Sequence, residues 1–415
     1  MGQQGTAGAY VEGGPLAGAT TEFEPDVMDL LEETLRRSVR AELPAVGTDT
    51  LLRELVMGDT DAGATIAPGM RKAGSLGGSI AGRAGRGWVS DDDVPSARPG
   101  ADLAEEAAHE ADEREVDAAW REACWRLSMS SRGTDADGDR GFPEMTGALR
   151  ACLLLAIRSA RAEGTMSVRC RHVARALLDL PDTRAREALL LERLDTAAAL
   201  TALDRLAASA PQETGGPESR SVLLLRRAGT VGRGGNFLSR KLTSWTSGSS
   251  VNGSPLVFAV SVEAGRQAAR CGRDAAGPVD LLLATLALDR ALFVAGYSLP
   301  EDLADANAAA ALMRRHGVRQ VSLVSSAWEP SSVVDPDSGG VQLSATADRV
   351  VAMARVTAAQ HGSPTVGTLH LLSALLDESA TGADAEVVGE VAQLLEAGQV
   401  DVAALRAELA LRLAA

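Results

Sequence analysis

Apolar residues recur along the chain at the spacing of amphipathic helices. In the clearest stretch, Ser344 can cap a helix whose apolar residues follow at i, i+3, i+4, i+7 and i+11: Ala347, Val350, Val351, Ala354 and Ala358. Thr368 can cap a shorter second helix with leucines on one side, and two further helices follow around Val391 and Leu405. The pattern predicts a four-helix unit over residues 344–409, with a long helix, a short one and two of medium length.

The same arrangement is found in three other parts of the chain. Residues 145–208 repeat it well, and residues 254–317 repeat it with separate helices expected over 281–288 and 291–295. A fainter copy occupies residues 25–74, where the third and fourth helices are poorly defined. Self-similarity of this kind is typical of repeat proteins, so the sequence predicts an all-α fold with four helical repeats.

Gly- and Ser-rich stretches divide these copies into two predicted domains. Residues 74–100 and 210–253 have the composition of an insertion and a linker, and residues 1–23 that of a disordered terminus. The predicted domains are therefore 24–209 and 254–415. We expect the charged helix 102–127 on the outside of the first domain, and we expect Asp91–Asp93 and Glu105–Glu106 to be solvated.

Composition narrows the class of partner and the compartment. Only 3% of residues are aromatic while 45% are hydrophobic, so the cores must consist of small and branched aliphatic side chains. A net charge of −15 disfavours nucleic acid, and no apolar run is long enough for a membrane span. The four cysteines form no CxxC pair, which favours a reduced, cytoplasmic setting, and the excess of Arg over Lys is typical of a GC-rich bacterial genome.

The turn into the second helix of each copy resembles a known family. It reads Val366-Gly367-Thr368-Leu369-His370-Leu371-Leu372 in the fourth copy and Val46-Gly47-Thr48-Asp49-Thr50-Leu51-Leu52 in the first, while the second keeps His172 and the third Gly277. This is similar to the repeats of the N-terminal domain of Clp-type AAA+ unfoldases, the Clp repeat domain. The resemblance implies tandem domains that are each a pseudo-twofold pair of four-helix repeats. The separation in sequence between the turns at Val46 and Val168 is larger than is usual in the family, which leaves the pairing of copies one and two open.

The resemblance implies a binding role without a motor. Neither Lys72 nor Lys241 lies in the GxxxxGK[ST] loop that an ATPase needs, so we expect no catalytic activity and no cofactor. The implied partners are a Clp ATPase, its adaptors or its client proteins, arginine-phosphorylated ones included. The alternative is a helical scaffold that binds an unrelated protein.

Candidate binding residues lie at the two best-preserved turns: Gly47, Thr48 and Asp49, and Gly367, Thr368 and His370. Amides at a helix start suit a phosphoryl group, and a carboxylate suits a guanidinium, as phosphoarginine binding in the family requires. Only Asp49 keeps that carboxylate, because Arg171 and Leu369 replace it in two other copies. The alternative is that Thr48 and Thr368 simply cap their own helices.

No arrangement of residues predicts a metal site or a nucleophilic enzyme. His172 and His370 each stand beside an apolar helix face, where a buried, hydrogen-bonded histidine is commoner than a ligand. Cys170 and His172 have no second ligand cluster, and no Ser-His-Asp signature occurs.

Overall fold

A computed structural model describes residues 19–70, 74–92, 103–131, 142–209, 217–232, 254–327, 341–378 and 389–414. Helices account for 71% of the structure and its strands are short, so the all-α prediction is confirmed. The chain divides into an N-terminal unit, residues 21–213, and a C-terminal unit, residues 214–415, with which residues 1–20 are grouped. The expectations for residues 1–18, 93–100, 102, 210–216 and 233–253, and for the side chains of Glu105 and Glu106, lie outside the described residues.

The N-terminal unit contains nine described helices around one aliphatic core. They are α1 (Pro25–Arg40), α2 (Thr48–Met57), α3 (Asp61–Ile66), α4 (Ser75–Ala84), α5 (Leu103–Ser131), α6 (Gly147–Ala162), α7 (Cys170–Asp179), α8 (Arg184–Leu191) and α9 (Thr196–Ser209). The faint first copy is therefore folded, with α3 in the region where its later helices were poorly defined and α4 directly after it, at the start of the predicted insertion.

Two short parallel strand pairs join the first and second copies crosswise. β1 (Glu22–Phe23), which precedes α1, pairs with β4 (Ser167–Val168), which follows α6. β2 (Ala45–Val46), which follows α1, pairs with β3 (Glu144–Met145), which precedes α6. Each copy thus supplies one strand before and one strand after its long helix, and copies one and two form a reciprocal pair despite their separation in sequence. Glu22 and Phe23 are also structured and buried, so the predicted disorder does not extend to residue 23.

The insertion between these copies is more ordered than its composition suggested. Leu76 and Ile80, one turn apart on α4, are buried in the core, so this part of the Gly-rich stretch is a packed helix. Helix α5 packs on α1 and α6 with a seam of buried residues: Val116, Ala119, Ala123 and Leu127. The expectation of an outside position is wrong for this side of α5, because its apolar residues recur at i, i+3, i+7 and i+11.

The C-terminal unit has a similar order of helices, with one strand pair among its described residues. Its helices are α10 (Arg220–Arg227), α11 (Pro255–Cys271), α12 (Pro278–Val294), α13 (Glu301–Ala304), α14 (Ala309–Arg315), α15 (Gln320–Ser326), α16 (Ala345–Gln360), α17 (Thr368–Asp377), α18 (Glu390–Ala397) and α19 (Val402–Leu413), with a 3₁₀ turn at Asp305–Asn307. β5 (Ala275–Ala276) after α11 pairs in parallel with β6 (Gln342–Leu343) before α16, which is the counterpart of the β2–β3 pair.

Two predictions for this unit are corrected. Residues 281–288 and 291–294 belong to a single helix, α12, with Ala295 as its C-cap, because neither Gly nor Pro separates the two stretches. The predicted linker 210–253 contains α10, whose Val222 and Leu225 are fully buried and which packs against α11. The short apolar stretch of α10, although Gly-rich sequence flanks it, is therefore part of the core of the C-terminal unit.

Candidate functional site

The first candidate turn lies where the starts of helices α2 and α8 meet. Gly47 is the N-cap of α2 and Thr48 is its first residue. Thr48 and Asp49 are both buried. The Thr48 hydroxyl accepts a hydrogen bond from the amide of Ala185, at 3.0 Å, in the first turn of α8. The prediction that Thr48 caps its own helix is therefore wrong: its side chain satisfies an amide of the neighbouring helix, which would otherwise have no partner.

Asp92 holds this junction together. Its carboxylate accepts hydrogen bonds from the amide of Thr48 at 2.7 Å, from the amide of Arg184 at 2.8 Å and from the Thr48 hydroxyl at 2.9 Å. Its backbone carbonyl accepts a further bond from the amide of Ala148 at 2.8 Å, at the start of α6. Three helix starts, each with unpaired amides and a positive dipole end, thus converge on one fully buried residue.

A second buried carboxylate stands beside the first. Burial, together with the negative charge of Asp92, raises the pKa of Asp49 to about 6, and the opposing effect of the Arg184 guanidinium is smaller. Gly47 leaves room for the cluster: a Cβ atom there would lie 2.5 Å from Asp49 Oδ1, 3.0 Å from Asp92 Oδ2 and 3.2 Å from Arg184 Nη1. The site therefore brings two carboxyl groups, of Asp49 and Asp92, close to the single guanidinium of Arg184.

These contacts change the interpretation of the candidate anion site. The Thr48 amide, which was expected to face an external phosphoryl group, binds an internal carboxylate. A phosphoryl group could reach that amide only by displacing Asp92. The expectation that Asp91–Asp93 is a solvated run is wrong for Asp92, because its carboxylate is the counter-charge for two helix dipoles; Asp93 lies outside the described residues.

The second candidate turn repeats this geometry with neutral groups. The amide of Thr368 donates to Asn307 Oδ1 at 2.9 Å, and the Thr368 hydroxyl accepts from the amide of Ala309, at 3.4 Å, at the start of α14. Thr368 therefore also serves a neighbouring helix rather than capping α17. Gly367 is required by a close approach, since a Cβ atom there would lie 2.1 Å from the carbonyl oxygen of Ala306.

The buried histidines are hydrogen-bonded within the turns, as predicted. His370 Nδ1 accepts from the amide of Gly367 at 3.0 Å, and His172 Nδ1 accepts from the amide of Arg169 at 2.9 Å. In the third copy a carboxylate takes this position, because Asp280 accepts from the amide of Gly277 at 2.9 Å. Burial lowers the pKa of His370, which favours the neutral ring that this bond requires.

The structure places the six candidate residues in two separate groups, one in each unit. Sequence reasoning missed three participants: Asp92, Arg184 and Asn307. Asp92 and Asn307 lie 44 and 61 positions from the threonines that they contact. The sequence around each of them did not indicate a buried contact, since an aspartate in an acidic run and an asparagine near a helix start are both ordinary surface residues.

Neither a cluster of metal ligands nor a membrane-spanning helix occurs in the part of the chain that the structure describes. Among those residues, no three His, Cys, Asp or Glu side chains are grouped so that they could hold a metal ion. None of the described helices combines the length and the apolar character that a bilayer crossing requires.

Comparison with known proteins gives no match. No protein-family model matches the chain, and neither a curated protein nor a solved structure matches it.

Proposed function

We propose that the protein is a non-catalytic module of a Clp protease system that binds proteins or peptides. Its role would be that of an adaptor, a substrate-recognition factor or a sequestering factor. The observation that carries the proposal is the crosswise pairing of the first two helical copies through β1–β4 and β2–β3. Reciprocal packing of two four-helix repeats is the architecture that the sequence resemblance implies.

The recurring Gly-Thr turn supports the same proposal. In both units the hydroxyl of the threonine at the start of the second helix accepts a hydrogen bond from an amide at the start of a later helix of the other copy. In three of the four copies, the residue three positions after the N-cap accepts the N-cap amide: His172, Asp280 and His370. The two threonines thus connect the copies of each unit, while His172, Asp280 and His370 stabilise their own turns. We therefore assign binding to the outer helix surfaces.

This assignment changes how a client would be recognised. Because Asp92 already binds the Thr48 amide, we propose that the principal ligand is a protein surface rather than a phosphoarginine held at Asp49. An arginine-phosphorylated client would need to displace a carboxylate that accepts three hydrogen bonds. Such displacement costs the free energy of the charge-assisted bonds, about 1.5–3 kcal/mol for each.

The test is recovery of the full chain with its partners from the native host. Co-purification of a Clp ATPase or its adaptors supports the proposal, whereas repeated recovery of an unrelated protein alone favours the helical scaffold. An unrelated helical protein of similar net charge, carrying the same affinity tag, is the matched control. The effect of the purified chain on the rate at which the Clp protease degrades a client separates delivery, which accelerates degradation, from sequestration, which slows it.

A further inference from the structure

The turn between α16 and α17 has two histidines where the matching turn of the N-terminal unit, between α6 and α7, has a glutamate and a histidine. The two turns keep the same register, since three equivalent pairs of residues lie 198 positions apart: Gly164 and Gly362, Arg169 and Gly367, His172 and His370. Glu163 therefore corresponds to His361, and each is the C-cap of the long helix before its turn. The fourth copy thus has an imidazole where the second copy has a carboxylate.

In the N-terminal unit the glutamate stands against the buried histidine. His172 is 1% exposed, its Nδ1 accepts from the amide of Arg169, and its Nε2 lies 3.0 Å from Glu163 Oε2. Burial would raise the pKa of Glu163, but the hydrogen bonds and charges of His172 and Arg171 outweigh it and lower the pKa to about 2. The carboxylate therefore stays charged in mildly acidic solution, where it stabilises a positive charge on the ring of His172.

The C-terminal turn has no such carboxylate among its described residues. His370 is 3% exposed, and its Nδ1 accepts from the amide of Gly367 at 3.0 Å, which requires a ring nitrogen without a proton. Among the described residues, His361 is the one titratable group whose charge acts on this ring. No charged group acts on it from the 3₁₀ turn or from the other helices packed on α17, which are α11, α12, α14, α18 and α19. Burial lowers the pKa of His370, and a positive charge on His361 lowers it further.

Protonation of the His370 ring would act on a contact between two copies. A proton on Nδ1 removes the acceptor of the Gly367 amide and places a positive charge in a buried position beside a second histidine. The residue after Gly367 is Thr368, which joins the fourth copy to the third through Asn307 and Ala309. The start of α17 and its contact with the third copy therefore depend on a neutral ring.

We propose that the α16–α17 turn, with His361 and His370, is an acid-sensitive switch: acidification opens the start of α17, whereas the α6–α7 turn of the N-terminal unit stays closed. The folded turn binds the proton of His370 less tightly than the unfolded chain does. Its contribution to stability is therefore present above pH 6.5 and is lost as the pH falls below that value. The switch needs no Clp partner, so it is independent of the proposed function.

The N-terminal unit responds to acid with the opposite sign. Burial and the charge of Asp92 raise the pKa of Asp49 to about 6, so protonation of that carboxyl stabilises this unit over the same range of pH. Acidification thus loosens one unit of the chain at its histidine turn while it strengthens the other.

The test exchanges the two partner residues within the full chain. His361→Glu supplies the C-terminal turn with a carboxylate, and Glu163→Gln removes the carboxylate from the N-terminal turn. His361→Gln, which removes the imidazole without adding a carboxylate, is the matched control, and the exposed position of His361 favours folding of both of its variants. Hydrogen exchange at pH 7 and pH 5, corrected for the effect of pH on the chemical exchange rate, gives the opening constants at the starts of α17 and α7.

The opening constant at the start of α17 should be about three- to twentyfold larger at pH 5 than at pH 7. His361→Glu should remove most of that increase, and His361→Gln a smaller part, because the burial of the His370 ring remains. Glu163→Gln should make the opening constant at the start of α7 about threefold larger at pH 5 than in the unsubstituted chain. Comparison with the unsubstituted chain at the same pH cancels the titration of Asp49.

Nuclear magnetic resonance of the histidine-labelled chain provides a second measurement, and five histidines are few enough to assign by substitution. The His370 signal should titrate below pH 6.5, and His361→Glu should raise its midpoint by about one pH unit. A His370 midpoint at or above pH 6.5 in the unsubstituted chain would overturn the proposal. Equal opening constants of α17 at the two pH values would do the same, as would a pH dependence that His361→Glu leaves unchanged.

Discussion

Replacing Asp49 by asparagine should make the N-terminal unit more stable at neutral pH. The change removes one negative charge from a buried pair while it keeps the size of the side chain and one acceptor oxygen. Asp49 is 6% exposed and stands beside the carboxylate of Asp92, so its charged form is unfavourable in the folded unit. An increase in stability after removal of this charge would show that the folded unit retains the charge at a cost in free energy.

The magnitude follows from the raised pKa. The usual value for this carboxyl is 3.8, and its pKa in the folded unit is about 6, a difference that corresponds to about 3 kcal/mol. Because the folded unit binds the proton more tightly than the unfolded chain, this stabilisation is complete below pH 3.8 and is lost as the pH rises through about 6. Hydrogen bonds from the backbone amides of Asp49 and Thr50 favour the charged form and offset part of the gain. We expect Asp49→Asn to stabilise the unit by about 1–2 kcal/mol at pH 7 and to have little effect near pH 4.

Hydrogen exchange measured by mass spectrometry can follow this unit within the full chain. Peptides from α2 and α7 report its opening free energy, and the comparison of pH 5 with pH 7 isolates the titration of Asp49. Asp91→Asn, at an exposed neighbour of Asp92, is the control and should shift the opening free energy by less than about 0.5 kcal/mol. Destabilisation by Asp49→Asn at pH 7, or a pH dependence equal to that of the unsubstituted chain, would refute the reasoning.

Four further outcomes follow from the two turns. Asp92→Ala leaves amides of α2 and α8 without their acceptor and should destabilise the N-terminal unit by about 2–4 kcal/mol, read as faster exchange at both helix starts. Gly367→Ala should lower the thermal stability of the C-terminal unit more than Gly47→Ala lowers that of the other, because the new Cβ meets a backbone carbonyl in the first case and a movable side chain in the second. Because burial lowers the pKa of His370 from 6.5, the unfolding free energy of the C-terminal unit should fall as the pH drops below that value, and His370→Gln should remove this dependence in denaturant titrations. Calorimetry should detect no binding of a phosphoarginine peptide to the unsubstituted chain; binding that Asp49→Ala abolishes would contradict the role given to Asp92.

The periodic part of the sequence determined the helices and the class of fold. Aliphatic stripes at helical spacing need only local information, since the face that a helix buries is set by which residues recur every three to four positions. The stripe of α16, from Ala347 to Ala358, is buried as the spacing predicts. His172 and His370 were also predictable as buried, because each is surrounded by apolar residues of its own short helix.

Where local composition was the only guide, the predictions for α4, α10 and the seam of α5 were wrong. A Gly-rich stretch with two or three aliphatic residues has no preference strong enough to decide between a loop and a helix. Burial of Leu76, Val222 or Val116 against a core built by other segments decides it. That contribution comes from residues far away in the chain, so no window of sequence contains it.

The candidate site shows the same division most clearly. The sequence by itself determined that Gly47-Thr48-Asp49 and Gly367-Thr368 begin helices with unpaired amides, because those amides follow from the backbone geometry of any helix. Only the tertiary structure decided which side chain accepts their hydrogen bonds: the charged Asp92 in one unit and the neutral Asn307 in the other. The choice depends on which distant segment the packing of the repeats brings within hydrogen-bond distance, and that is a property of the whole folded unit.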